Sequence, residues 1–145
     1  MSPDLSPTTI ATPIRLSAII PTWQEAAAIA ATIQAVRAAG FDEIIVVDGG
    51  STDATVSQAR AAGADHVRII APGRAVQQNA GAAIATGDVL CFLHADCLPD
   101  RQSGSALRNA FAAPAVCAAS FVQRIDAHGW AYRLLEWGNL RRVLW

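Results

Sequence analysis

At 145 residues and 15.2 kDa the chain has room for one domain, and a domain of that size buries roughly two thirds of its unfolded surface. Hydrophobic residues make up 52% and charged residues 16%, which excludes a disordered chain. A net charge of −1 argues against broad electrostatic binding to nucleic acid or an anionic membrane. All 11 basic residues are Arg, a side chain suited to fixed hydrogen-bonding forks. The cysteines Cys91, Cys97 and Cys117 form no CxxC pair, so reduced thiols are expected, with neither a disulfide framework nor zinc spacing. No apolar run approaches the roughly 20 residues that span a bilayer. Residues 1–13 lack a basic-then-apolar secretory pattern, so a cytoplasmic location is expected. These residues, rich in Ser, Thr and Pro, read as a loose leader, and residues 14–145 as the folded part.

The first predicted element is an apolar strand over residues 16–20, closed by Pro21. Thr22-Trp23-Gln24-Glu25 has the form of a capping box, which predicts a helix opening there. That helix carries Ile29, Ile33 and Val36 at i, i+4, i+7 and stops at Gly40. Residues 43–47 are apolar and β-branched after Glu43, as in a strand buried on both faces. The turn Asp48-Gly49-Gly50 leads to Ser51 or Thr52 as N-cap of a helix running to about Ala62. A third strand follows over 66–70, and Pro72-Gly73 turns the chain into a helix carrying the apolar Val76, Ala80, Ala83 and Ile84, ended by Gly87. A fourth strand over 88–93 runs into His94-Ala95-Asp96. Beyond it the pattern predicts a helix over about 101–112, a longer strand over 116–125 and a last helix over 130–145. The apolar face of that last helix (Trp130, Leu134, Trp137, Leu140) favours association if left uncovered. The chain stops inside this helix, from which a C-terminal truncation is expected. Alternating strands and helices imply an α/β fold with right-handed crossovers, a mostly parallel sheet and helices on both faces.

In such a sheet, ligands bind beyond the carboxyl ends of the strands. The polar clusters at residues 21–25, 48–53, 71–74 and 94–96 converge there. Glu25, Asp48, Asp53 and Asp96 outnumber the nearby Arg74, so a divalent cation or a ligand's donor groups would relieve the negative charge. Neither GxxxxGK[ST] nor GxGxxG is present, which removes most support from P-loop and dinucleotide readings. Each residue also has a structural alternative. Asp48 would cap a turn, Thr22 and Glu25 a helix, and Asp53 would supply a first-turn charge. Asn79 and Gly81 would let the third helix pack closely, Cys91 and Cys97 would be inert thiols, and His94 would be either a ligand or a packing residue.

Taken together, four segments resemble family 2 glycosyltransferases of the GT-A fold. Residues Ser17-Ala18-Ile19-Ile20-Pro21-Thr22-Trp23-Gln24-Glu25 resemble the family's opening strand, proline and N-E. Ile44-Ile45-Val46-Val47-Asp48-Gly49-Gly50-Ser51-Thr52-Asp53 is similar to its VVDDGSTD block. Gly73-Arg74-Ala75-Val76-Gln77-Gln78-Asn79-Ala80-Gly81 is similar to R-x-x-x-x-N-x-G. Leu93-His94-Ala95-Asp96 sits where the family carries its D-x-D metal motif. The glycine and histidine variants most resemble a bacterial subgroup associated with arsenosugar biosynthesis or selenium gene clusters. The resemblance implies a GT-A (Rossmann-like) domain, incomplete at the C-terminus, that binds a nucleotide-diphosphate sugar, a UDP-sugar being favoured.

By position Pro21, Thr22 and Glu25 would line the nucleoside pocket, Asp48 would bond the base or ribose, and Arg74 would approach the diphosphate. Asp96 and His94 would hold Mn2+ or Mg2+, His94 suiting Mn2+ better. The implied reaction is metal-assisted, inverting sugar transfer to a hydroxyl acceptor. The family's general base belongs to a part that follows, and neither Asp126 nor Glu136 matches its motif. A truncated, non-catalytic nucleotide-binding module is the alternative. A nucleotidyltransferase is disfavoured, because residues 21–25 contain neither Gly nor Lys.

Overall fold

A computed structural model describes residues 13–122. Eight elements follow one another as β1 (Leu16–Thr22), α1 (Ile29–Ala38), β2 (Glu43–Asp48), α2 (Thr55–Ala61), β3 (His66–Ile69), α3 (Arg74–Ala82), β4 (Val89–Phe92) and α4 (Ser103–Phe111). All belong to a unit ending at Ala113; a second unit begins at Pro114, and its described residues, 114–122, form neither helix nor strand.

The four strands are parallel and lie in the order β3-β2-β1-β4. The central pair explains the composition of the sequence: β2 is buried throughout and β1 nearly so, so both faces of each need apolar side chains. On one face Ile19, Ile45 and Val47 form a core against which Ala80 and Ile84 pack. Helices α1 and α2, packed on each other and on β2, bury Ile29, Ile33 and Val36 completely. Each fully buried Ile or Val of this set contributes about 1.5–3 kcal/mol. Helix α3 comes so close to the sheet that a Cβ at Gly81 would sit 2.5 Å from Ile19 Cγ2. The glycine is therefore a packing requirement.

Four expectations change. Thr22 does not open a helix: it is the last residue of β1, opposite Asp48, and α1 begins only at Ile29 with no side-chain cap. Gln24 takes a left-handed φ of 58°, which no helix start allows. Pro21 continues β1 instead of closing it. Its missing N–H points to the side where β4 lies, and β4 pairing ends at Ile19, so no ladder bond is lost. Of the apolar positions expected on the third helix, Ala80 and Ile84 pack on the core but Val76 is exposed, and Gln77 and Gly81 are buried instead. The strand expected over 116–125 is absent over 116–122; the helix expected over 130–145 lies outside the described residues, as does most of the leader. Among the described residues no helix is long and apolar enough to cross a membrane.

The chain runs outward from β1 to β2 and β3, then returns to place β4 on the other side of β1. Strand order reverses at β1, and in open α/β sheets the crevice beyond the carboxyl ends at such a point receives the ligand.

Candidate functional site

An open cavity of about 430 Å³ lies at that crevice, within the range of small-molecule sites. The end of β1 contributes Pro21, Thr22, Trp23 and Glu25, the start of α3 contributes Gly73, Arg74 and Gln77, and the turn after β4 contributes His94 and Asp96. Five of the six residues expected to bind the donor, and both expected metal ligands, are thus brought together. Asp48 is the exception.

The Asp48 carboxylate is fully buried and filled from within the fold. Its Oδ2 accepts the Thr22 hydroxyl at 2.9 Å and the Ser51 hydroxyl at 2.6 Å, while its Oδ1 accepts the Gly50 and Ser51 N–H groups at 2.9 and 2.7 Å. An aspartate that closes a turn onto its own following amides is the Asx arrangement, here strengthened by charge. Asp48 thus shapes the loop beneath the cavity and is not part of its lining.

That loop is fastened to the one after β1. The Gln24 N–H donates to Ser51 Oγ at 2.8 Å and its Nε2 to Thr52 Oγ1 at 2.9 Å, while its Oε1 accepts the Asp53 N–H at 3.2 Å. The Glu25 N–H donates to Thr55 Oγ1 at 2.8 Å. These bonds hold the Glu25 backbone while its side chain remains at the cavity. Asp53 accepts the Thr55 hydroxyl and N–H and the Ala26 N–H. The Thr55 hydroxyl foremost, with these N–H groups, keeps its carboxyl below the usual range. Asp53 is therefore a loop-fastening residue.

Gln77 escaped the sequence reading, which gives Trp23 no role within the cluster 21–25. Gln77 is 4% exposed; its Nε2 donates to the carbonyls of Thr22 and Val47, each at 2.8 Å, joining the ends of β1 and β2 to α3. The signal was a polar residue next to the supposed apolar stripe. Gly49 lies against this brace, since a Cβ there would come 3.3 Å from Pro72 Cα and 3.4 Å from the Gln77 amide. Trp23 also lines the cavity and is 63% exposed; a Trp beside a strand end is the signal that could have given it a role.

The turn after β4 is pinned from behind. Thr32 of α1 donates its hydroxyl to the Ala95 carbonyl at 2.6 Å, and Cys97 N–H closes on His94 carbonyl at 3.2 Å. Ala95 is buried, leaving His94 and Asp96 exposed on either side of it. Among the described residues nothing donates a hydrogen bond to the Asp96 carboxylate or pairs with it. Arg74 has its two terminal nitrogens 3.4 Å from the two ring nitrogens of His94. Burial, and then the charge of Asp96, push the Cys97 thiol up, and burial raises Cys91 to about 11; both are protonated, unreactive thiols at neutral pH.

Among the described residues no group of three or more His, Cys, Asp or Glu is arranged to enclose a metal. The two cavity carboxylates without a partner among the described residues, Asp96 and Glu25, fit a hard cation held mainly by phosphate and water oxygens. They do not make a protein cage.

A family model described as glycosyl transferase family 2 matches residues 17–143. Among solved structures, the chain is similar to glucosyl-3-phosphoglycerate synthase from Mycobacterium tuberculosis. The complex of that protein with Mn2+ and UDP-glucose is 29% identical with a TM-score of 0.54, over 61% of this chain and 36% of that one. Its complex with Mg2+ and UDP is 29% identical with a TM-score of 0.52, over 57% and 33%. The crystal structure of a mycobacterial protein is 27% identical with a TM-score of 0.57, over 66% and 37%. The matched part thus spans about a third of each of those chains. No curated protein sequence matches significantly. The sheet order, the cleft at its switch point and the family match lead to one conclusion: this chain belongs to glycosyl transferase family 2 and has its α/β, GT-A-type fold.

Proposed function

We propose that the cavity binds the nucleotide-diphosphate part of a sugar donor, with a UDP-sugar as the favoured ligand. The carrying observation is the meeting, in one open cavity at the carboxyl ends of β1 and β4, of an arginine with Asp96 and Glu25, two carboxylates that no described residue pairs. A similar protein that is 29% identical holds UDP-glucose with Mn2+, which supports the same ligand class here. Arg74 meets the diphosphate; Thr22, Glu25 and Pro21 border the nucleoside, and the exposed Trp23 indole offers a flat face for a heterocycle. Asp96 would hold Mn2+ or Mg2+. When bound, such an ion supplies positive charge against the leaving diphosphate.

The whole enzyme would join an acceptor hydroxyl oxygen to the anomeric carbon while the bond from that carbon to the diphosphate oxygen breaks. The diphosphate leaves with the bonding electrons and the hydroxyl proton passes to a base, with inversion at carbon. Residues 13–113 supply the donor half of this reaction. Membership of the arsenosugar- or selenium-associated subgroup rests on the Gly49 and His94 variants alone.

The test is calorimetric titration of the full chain with UDP and with GDP, in Mn2+ and again in EDTA. The expected result is saturable, Mn2+-dependent binding, tighter for UDP. A cooperatively folded protein that binds neither nucleotide in Mn2+ refutes the donor site and favours a family member that has kept its fold without its ligand.

A further inference from the structure

The Arg74 guanidinium meets the His94 imidazole twice, with Nη1 3.4 Å from Nε2 and Nη2 3.4 Å from Nδ1. Between those two ring nitrogens the Cε1–H projects in the ring plane. A coplanar approach would drive that hydrogen into the guanidinium fork. A neutral imidazole has a single acceptor nitrogen, so at most one of the two contacts is an ordinary hydrogen bond; contact over the ring face, where an aromatic π-system holds an arginine cation, accounts for both. Among the described residues Arg74 has no carboxylate partner, so His94 is what orders this long side chain. The contact joins two elements: Arg74 is the first residue of α3, and His94 opens the turn that Thr32 pins through Ala95.

We propose that His94 is a positioning residue. Its ring face holds the Arg74 guanidinium over the cavity, ordered in advance for a diphosphate, and it is not a cation ligand. A ligating ring nitrogen must turn its lone pair to the metal, and any cation drawn to His94 here would meet the fixed charge of Arg74. Asp96, beyond the buried Ala95, makes no such direct contact with Arg74, and with Glu25 it is left as an open carboxylate of the cavity among the described residues. The purpose of this pairing rests on the donor-site reading above; the pairing itself does not.

Two measurements on the full chain test it, each with wild type, His94→Ala and His94→Phe. Phenylalanine keeps an aromatic face but has no nitrogen. The first is the side-chain N–H signal of Arg74 in 1H–15N NMR spectra without nucleotide, assigned with Arg74→Ala. The expected signal is ring-current shifted in wild type and His94→Phe and unshifted in His94→Ala. The second is UDP affinity in Mn2+, expected to fall about three- to tenfold in His94→Ala and to be largely restored in His94→Phe. In an Arg74→Ala background, His94→Ala should have no further effect.

An Arg74 signal indifferent to both substitutions overturns the pairing, whatever the nucleotide does. Equal loss of affinity in His94→Phe and His94→Ala, with Mn2+ binding weakened in both, overturns it in favour of a metal ligand. A wild type that fails to bind UDP yet shows the shifted signal refutes the donor site while upholding the pairing.

Discussion

Strand β2 carries a buried carboxylate at each end, and both are saturated. At the amino-terminal end Glu43 is 5% exposed, accepting the Ser17 hydroxyl and the Thr86 N–H on Oε2 and the Thr86 hydroxyl on Oε1. At the carboxyl end Asp48 accepts its four donors from Thr22, Gly50 and Ser51. Beyond Asp48, however, the same end of the sheet presents Asp96, which no described residue fills, whereas the amino-terminal end presents its acids already bonded. The two ends teach a rule for this fold. A carboxylate whose lone pairs are filled by neighbouring loops holds the chain together, and one left open beside an arginine is available to a ligand.

The largest expected effect comes from breaking a saturated site. Asp48→Ala strands donors at the end of β1 and on the loop after β2 and should cost about 3 kcal/mol in urea denaturation. UDP binding should weaken only in proportion to lost loop order. Gly81→Ala pushes a methyl group into Ile19 and should cost about 2 kcal/mol by overpacking, measured in the same experiment.

Glu43→Gln sharpens the comparison through pH. Burial opposes the charged form of Glu43, but the hydrogen bonds from Ser17 and Thr86 outweigh it and hold the carboxyl below its ordinary value of 4.5. A depressed folded value means that the contribution of Glu43 is fully present above about pH 4.5 and is lost as pH falls through the lower folded value. The melting temperature should therefore drop less on acidification in Glu43→Gln than in wild type. Asp65 is also held low, against its burial, by Arg37 and the Ile44 N–H, so part of the acid sensitivity persists in the variant. The smallest stability effect, within about 0.5 kcal/mol, is expected for Trp23→Ala in the cavity lining, while UDP affinity drops about tenfold if the indole stacks on the base.

Much of this was legible in the sequence, and the failures have physical causes. The apolar runs of β1 and β2 and the spacing of Ile29, Ile33 and Val36 are dictated by burial, which periodicity reports directly. The clusters at the strand ends could be placed because a parallel sheet brings those ends together. Thr22 misled because a capping box is a local pattern, whereas its hydroxyl finds Asp48 across 26 residues. Val76 misled because α3 turns Gln77 inward to brace two carbonyls at the strand ends, outweighing the apolar preference of its neighbour. The saturation of Asp48 left no trace in composition or spacing: an aspartate before two glycines reads the same whether its lone pairs face a ligand or its own loop. Residues 116–122 have strand-like composition but no strand partner among the described residues, and β-propensity alone does not make a strand.

The most direct measurement is UDP titration of Asp96→Ala beside wild type, with and without Mn2+, together with the melting temperature of each nucleotide-free protein. The open-carboxylate account predicts an unchanged melting temperature, because no described residue depends on Asp96. It also predicts loss of the Mn2+-dependent part of the affinity, about tenfold or more. An Asp96→Ala protein that binds UDP in Mn2+ as tightly as wild type would contradict it.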